Sequence, residues 1–130
     1  MSEVIEPGLE PSQLTVVHGF PMILSSQALP DPLNPQCSLR FEIFGGGMEL
    51  GNGYQELRDT AEYRRRFEVE NRKRRFASKP MPALDERWFT DIGIELPACS
   101  GVAVGLDRLL QLGLNVSHLD DVLEFPWEKS

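Results

Sequence analysis

Two glutamates, Glu42 and Glu49, stand on either side of the glycine run Gly45-Gly-Gly47, in a segment that alternates like a hairpin. Antiparallel pairing across so short a turn brings residues of the two arms close together, on one face where the register permits. Like charges held together repel unless a cation lies between them. Mg²⁺ carrying a phosphate suits such a pair, because it takes one or two carboxylates and completes its shell with substrate oxygens. The competing arrangement is two glutamates turned to water on an open sheet face.

A second group follows on the same arm. Asn52, Tyr54 and Glu56 are spaced by two, so a regular strand shows all three on one face. An amide, a phenol and a carboxylate on one surface can seat a small ammonium-bearing molecule: the carboxylate meets the ammonium and the ring covers its methylene stem. A polar sheet face in water is the alternative. The third group is Gly101-Val-Ala-Val-Gly-Leu-Asp-Arg108. Glycines let another group approach the strand closely, and an arginine at a strand–helix junction can stack on a base or clamp a phosphate. Neither a phosphate-binding loop nor a dinucleotide fingerprint is present, because the glycine spacing and the lysine are wrong.

These residues need a hairpin, a further strand and helices to hold them. Ser38 to Phe44 alternates, with Leu39, Phe41 and Ile43 on one face and Arg40, Glu42 and Phe44 on the other. The return strand runs from about Met48 to Glu56, and its Gly51 and Gly53 mark a bulge or a close approach, the first hint of a ligand. Asp59 or Thr60 caps a helix reaching about Phe76. Eight of the thirteen basic residues lie between Arg64 and Lys79, interleaved with glutamates, which reads as an ion-paired surface more than as a nucleic-acid contact. A short helix is expected over Leu84 to Ile92, with Leu84, Trp88 and Phe89 inward. A strand over 101–106, a helix from Asp107 to Leu112 and a short helix from His118 to Leu123 complete the plan. Before the hairpin, six of the ten prolines fall within residues 1–36, leaving room for one strand at Leu14 to His18 and a loop from Ala28 to Gln36. The pattern is that of an α+β fold with a mostly antiparallel sheet and flanking helices.

Composition narrows the function. The 130 residues fit one domain, and their net charge of −7 disfavours general binding of phosphate backbones. Cys37 and Cys99 are far apart and His18 and His118 are isolated, so the sequence holds no zinc site and no thiol or serine nucleophile with a histidine partner. No apolar run reaches membrane-spanning length and no signal-peptide pattern opens the chain, so a cytoplasmic protein with free thiols is expected.

The block Phe41-Glu-Ile-Phe-Gly-Gly-Gly-Met-Glu-Leu-Gly-Asn-Gly-Tyr-Gln-Glu-Leu57, followed by Gly101-Val-Ala-Val-Gly-Leu-Asp-Arg108, resembles class II lysyl-tRNA synthetases over roughly Leu14 to Pro126. Pro97-Ala-Cys-Ser100 and the helix ending Glu-Asn-Arg-Lys-Arg bring it nearest to the branch that ligates lysine to elongation factor P. The resemblance implies ATP and Mg²⁺ as cofactors, with Glu42 and Glu49 as metal ligands at the ATP phosphates and Arg108 as the catalytic arginine contacting ATP. It implies that Asn52, Tyr54 and Glu56 hold lysine or β-lysine, Glu56 facing the side-chain ammonium. Tyr54 stands where many members have phenylalanine. Ala103 stands where lysyl-tRNA synthetases usually carry glycine, and its methyl would reshape the pocket floor to suit a β-amino acid.

The first two class II motifs have no counterpart in the sequence. The expected unit is therefore the C-terminal portion of a class II catalytic domain over 14–130, preceded by a poorly ordered extension over 1–13. Adenylate formation by this chain alone is expected to be very weak. The acceptor is tRNA or elongation factor P, and an exposed sheet edge invites a second copy or a partner subunit. The alternative is a module that keeps the amino-acid socket, or only the fold, and works through a partner.

Overall fold

The computed structural model describes residues 6–87, 89–90 and 96–126. Its centre is a four-stranded antiparallel sheet in the order β1-β2-β3-β4, formed by β1 (Thr15–Pro21), β2 (Cys37–Gly45), β3 (Met48–Gln55) and β4 (Ser100–Val104). Helices α1 (Thr60–Phe76) and α2 (Leu106–Leu114) accompany it. Three single 3₁₀ turns lie at Glu6–Gly8, Met22–Leu24 and Leu119–Asp121. The last of these replaces the short helix expected from His118 to Leu123.

The β2–β3 turn follows from its glycines. Gly45 pairs with Met48, and between them Gly46 and Gly47 adopt φ of +60° and +73°. A two-residue hairpin loop with both central residues at positive φ matches the twist of its strands and favours glycine. β1 runs further than the sequence indicates because Gly19, at φ +71°, absorbs a bulge and Pro21 sits at the strand's end on the sheet edge, where it removes no ladder bond that matters. Most of Ala28 to Gln36 is loop, but Ala28 bridges Glu56 and Pro30 bridges Ser38.

Gly53 is accounted for by the protein itself. A Cβ there would lie 2.6 Å from the Phe41 ring and 2.7 Å from the Gly101 carbonyl oxygen. The close approach read from the sequence as the hint of a ligand is therefore that of the neighbouring strands.

Asp59 caps α1, accepting hydrogen bonds from Ala61 N and Glu62 N at 2.9 and 3.1 Å. The charges of α1 are paired as their spacing suggests. Glu62 binds Arg65 and Arg66, Glu70 binds Lys73 and Arg74, and Arg64 reaches Glu86. Arg66 also pins a loop: its Nη1 donates to Ser25 Oγ and to the carbonyls of Ser26 and Ala28 at 2.8–3.1 Å. Ser26 adopts the left-handed region at φ +51°, a strained backbone for a residue with a side chain, which these contacts help to hold. Of the helix expected over Leu84 to Ile92, Glu86, Arg87, Phe89 and Thr90 are helical, Phe89 is buried edge-on against Tyr63, and Leu84 is half-buried. Trp88 and the end of that helix lie outside the described residues.

Phe20, Ala28, Phe44, Leu50, Leu57 and Phe89 form the buried apolar set. The opposite end is open: Val102 and Val104 of β4 and Leu106, Leu109, Leu110 and Leu114 of α2 are all exposed.

The Glu62 carboxyl is held at about 2 by its hydrogen bonds with Arg65 and Arg66. A folded-state value below the ordinary 4.5 means that its contribution is complete above that value and is lost as pH falls towards about 2. Glu62→Gln should cost about 1 kcal/mol at neutral pH. In urea titrations across pH, the difference from the unaltered chain should begin to shrink near pH 4.5 and be largely gone by pH 2.

Candidate functional site

The register across three strands assembles the candidate residues. Arg40 of β2 pairs with Tyr54 of β3, which pairs with Gly101 of β4; in the next rung Glu42 pairs with Asn52, which pairs with Ala103. Directly opposed residues in an antiparallel sheet share a face. Arg40, Glu42, Asn52, Tyr54 and Ala103 thus stand together, while Phe41, Ile43, Val102 and Val104 take the other face. Glu56 joins the first group. Its backbone is held by the bridge to Ala28 and by donation from its N–H to the Cys99 carbonyl, and its Oε1 lies 3.0 Å from where a Cβ on Gly101 would be.

Strict alternation would set Glu49 on the wrong side, because it is three residues from Asn52. The ladder prevents this. Ile43 pairs with Gly51 but Phe44 pairs with Glu49, leaving Leu50 as the extra residue of a bulge. Glu49 is thereby moved to the face of Glu42. The Glu42 carboxyl is raised above the ordinary value, chiefly by burial and further by the charges of Glu49 and Glu6, with Arg40 opposing. Two hard oxygen donors with mutual repulsion suit Mg²⁺ supplemented by phosphate oxygens. No cluster of three or more potential metal ligands occurs among the described residues.

Arg108 lies in the first turn of α2 and donates from Nη1 to the Glu49 carbonyl at 2.7 Å. It is therefore tied to the β3 backbone at Glu49, a contact that its distance in sequence could not reveal. Burial raises the carboxyl of Glu56 and the phenol of Tyr54, the latter with help from the charge of Glu56.

The structure adds residues that no sequence pattern marks as functional. Tyr54 donates its hydroxyl to Gln27 Oε1 at 3.1 Å, and Gln27 Nε2 donates to the Tyr63 hydroxyl. The added phenol oxygen at position 54 thus has a dedicated partner. Gln27 belongs to the loop pinned by Arg66, so α1 supports the Tyr54 side chain indirectly. Arg40 lies between Glu42 and Asn52 and bonds to both. Its place on the Glu42 face was visible in the alternation, whereas Gln27 carried no signal.

The antiparallel sheet with its flanking helices has the α+β architecture of a partial class II synthetase domain. A family model described as tRNA synthetases class II (D, K and N) matches residues 10–129, and the chain belongs to that family. Its curated relatives include proteins named elongation factor P–(R)-β-lysine ligase. That of Buchnera aphidicola subsp. Acyrthosiphon pisum (strain Tuc7) is 40% identical over 125 residues, 96% of this chain and 39% of the relative. That of Buchnera aphidicola subsp. Schizaphis graminum (strain Sg) is 41% identical over 126 residues, 97% of this chain and 39% of the relative. That of Haemophilus influenzae (strain PittGG) is 36% identical over 124 residues, 95% of this chain and 38% of the relative. The chain spans about two-fifths of the length of these proteins.

Gly101 leaves room for Glu56. In Gly101→Ala the new methyl should push the flexible carboxylate aside with a stability loss of about 1 kcal/mol or less. Freed from burial, Glu56 should titrate closer to 4.5, which carbon-13 NMR of the side-chain carboxyl would read.

Proposed function

We propose that this face binds lysine or β-lysine together with MgATP, as part of an enzyme that activates the amino acid as its adenylate. In this reading Glu56 receives the side-chain ammonium, Tyr54 covers the methylene stem, and Asn52 and Ala103 shape the remainder. Glu42 and Glu49 hold Mg²⁺ at the ATP phosphates, where the ion offsets phosphate charge. Arg108 contributes a fixed positive charge beside them, of the kind that stabilises a transferring phosphoryl group. The observation that carries the reading is the two-rung register with its bulge, which gathers Glu42, Glu49, Asn52, Tyr54 and Ala103 onto one face.

The names of the relatives favour (R)-β-lysine as the amino acid and elongation factor P as the acceptor, and the methyl of Ala103 beside Asn52 is compatible with that choice. Lysine and tRNA are the corresponding ligands of the synthetase branch. A cytoplasmic setting follows from the same reading, and no helix among the described residues is long and apolar enough to cross a membrane.

A second reading, an interaction module derived from this fold, is favoured by one observation. β4 is an edge strand, and its valines and the leucines of α2 are exposed. A second copy or a partner subunit would cover them.

Calorimetric titration of the purified chain with L-lysine and (R)-β-lysine tests the first reading. Binding should fall at least tenfold in Glu56→Gln with little change in thermal stability, and leucine should not bind. Because burial raises the Glu56 carboxyl, binding should weaken as pH falls, with a midpoint above 4.5. ATP–pyrophosphate exchange with each amino acid then separates an active chain from one that only binds. No binding of either amino acid would leave the interaction module.

A further inference from the structure

Arg40 has no part in the assignment above, yet it occupies the middle of the face. Its Nη2 donates to Glu42 Oε1 at 2.5 Å, its Nε to Asn52 Oδ1 at 3.3 Å and its Nη1 to the Leu24 carbonyl at 2.6 Å. The guanidinium carbon lies 4.6 Å from the centroid of the Phe20 ring. The side chains of Arg40 and Glu42 are only 16% and 9% exposed. Three donor directions and one flat face are thus in use, an arrangement that a planar guanidinium permits and a flexible ammonium does not.

This geometry sets the charge that an incoming ion meets. Glu42 and Glu49 form the carboxylate pair, and Glu6 adds a third negative charge that is felt at Glu42. Arg40 stands against them, bonded to the Glu42 carboxylate, while Arg108 is held at the β3 backbone by its bond to the Glu49 carbonyl. A divalent cation arriving alone finds one carboxylate already paired and a guanidinium that repels it, and no group of three or more carboxylate, cysteine or histidine side chains placed to hold a metal occurs among the described residues. A cation arriving on a polyphosphate brings its own oxygen ligands. The negative charge of those phosphates is also attracted by the two arginines.

On the reading of this face as a MgATP site, we propose that Arg40 is a specificity-determining residue: it makes the Glu42–Glu49 pair exclude a bare divalent cation and accept a metal–polyphosphate complex. The guanidinium acts as a resident counter-cation, so the acidic pair does not trap free metal in an unproductive state.

Mn²⁺ is the probe, with free and bound ion counted by electron paramagnetic resonance on the full chain. The unaltered chain should bind bare Mn²⁺ only weakly, in the millimolar range. Arg40→Gln, which removes the charge and keeps a hydrogen-bonding head, should bind bare Mn²⁺ at least tenfold more tightly and Mn·ATP less tightly. Arg40→Lys, which keeps the charge, should leave bare Mn²⁺ binding weak. Adding Glu42→Gln to Arg40→Gln should abolish the gain and so locate it. Unchanged bare-Mn²⁺ affinity in an Arg40→Gln chain with a native thermal transition overturns the proposal. Micromolar binding of bare Mn²⁺ at Glu42 in the unaltered chain overturns it without reference to any variant. If the unaltered chain fails to bind Mn·ATP, acceptance of the complex is overturned together with the nucleotide reading. A bare-Mn²⁺ gain in Arg40→Gln would then still assign Arg40 the exclusion of free metal.

Discussion

One extra residue in β3 governs the arrangement of this face. Without the bulge at Leu50, Glu49 would follow the parity of Gly51 and Gly53 and project from the far side of the sheet with Phe41 and Ile43. With it, Phe44 rather than Gly45 faces Glu49, and the carboxylate joins Glu42 and Asn52. A one-residue change of register moves a side chain to the other face of a strand. Here that property is used locally, after the regular rungs have already placed Asn52 and Tyr54.

The bulge would be of little use if the surrounding backbone could slip. Two devices hold it. The β2–β3 turn fixes one end through Gly46 and Gly47, whose positive φ values suit the twist of the hairpin. At the other end, the Ser25–Ala28 loop is tied to α1 by Arg66 and to the end of β3 by the Ala28–Glu56 bridge and by donation from Leu57 N to the Gln27 carbonyl. The ion pair of Glu62 with Arg66 therefore supports the Tyr54 end of this face from outside it. These contacts link a charged helix that buries none of its own residues to the position of Tyr54 and Glu56.

Charge is distributed on the face with the same economy. Burial raises Glu42 and Glu56 above their ordinary values, which disfavours isolated negative charge there. Glu42 has Arg40 as its counter-ion, while burial acts on Glu56 with no cation among the described residues to offset it. An ammonium ligand would supply that missing charge. The two carboxylates thus stand in different electrostatic states, although both lie on one side of the same sheet.

The sequence by itself determined the hairpin, its glycine turn, the Asp59 cap and the ion-paired α1, because alternation, positive-φ glycines and i,i+4 charge pairs are local signals. It also determined that Asn52, Tyr54 and Glu56 share a strand face, and its two motif blocks pointed to the class II family. It could not determine that Glu49 reaches the same face, since the bulge depends on how β2 and β3 register and not on the composition of either strand. Nor could it pair Arg108 with Glu49, or join Gln27 to Tyr54 and Tyr63, because these contacts close over long separations along the chain. Gly53 misled for the same reason: the group crowding it is the Phe41 ring across the strand, not a ligand. Local patterning chose the elements, whereas register and loop closure, which exist only once the strands have met, decided which charges face one another.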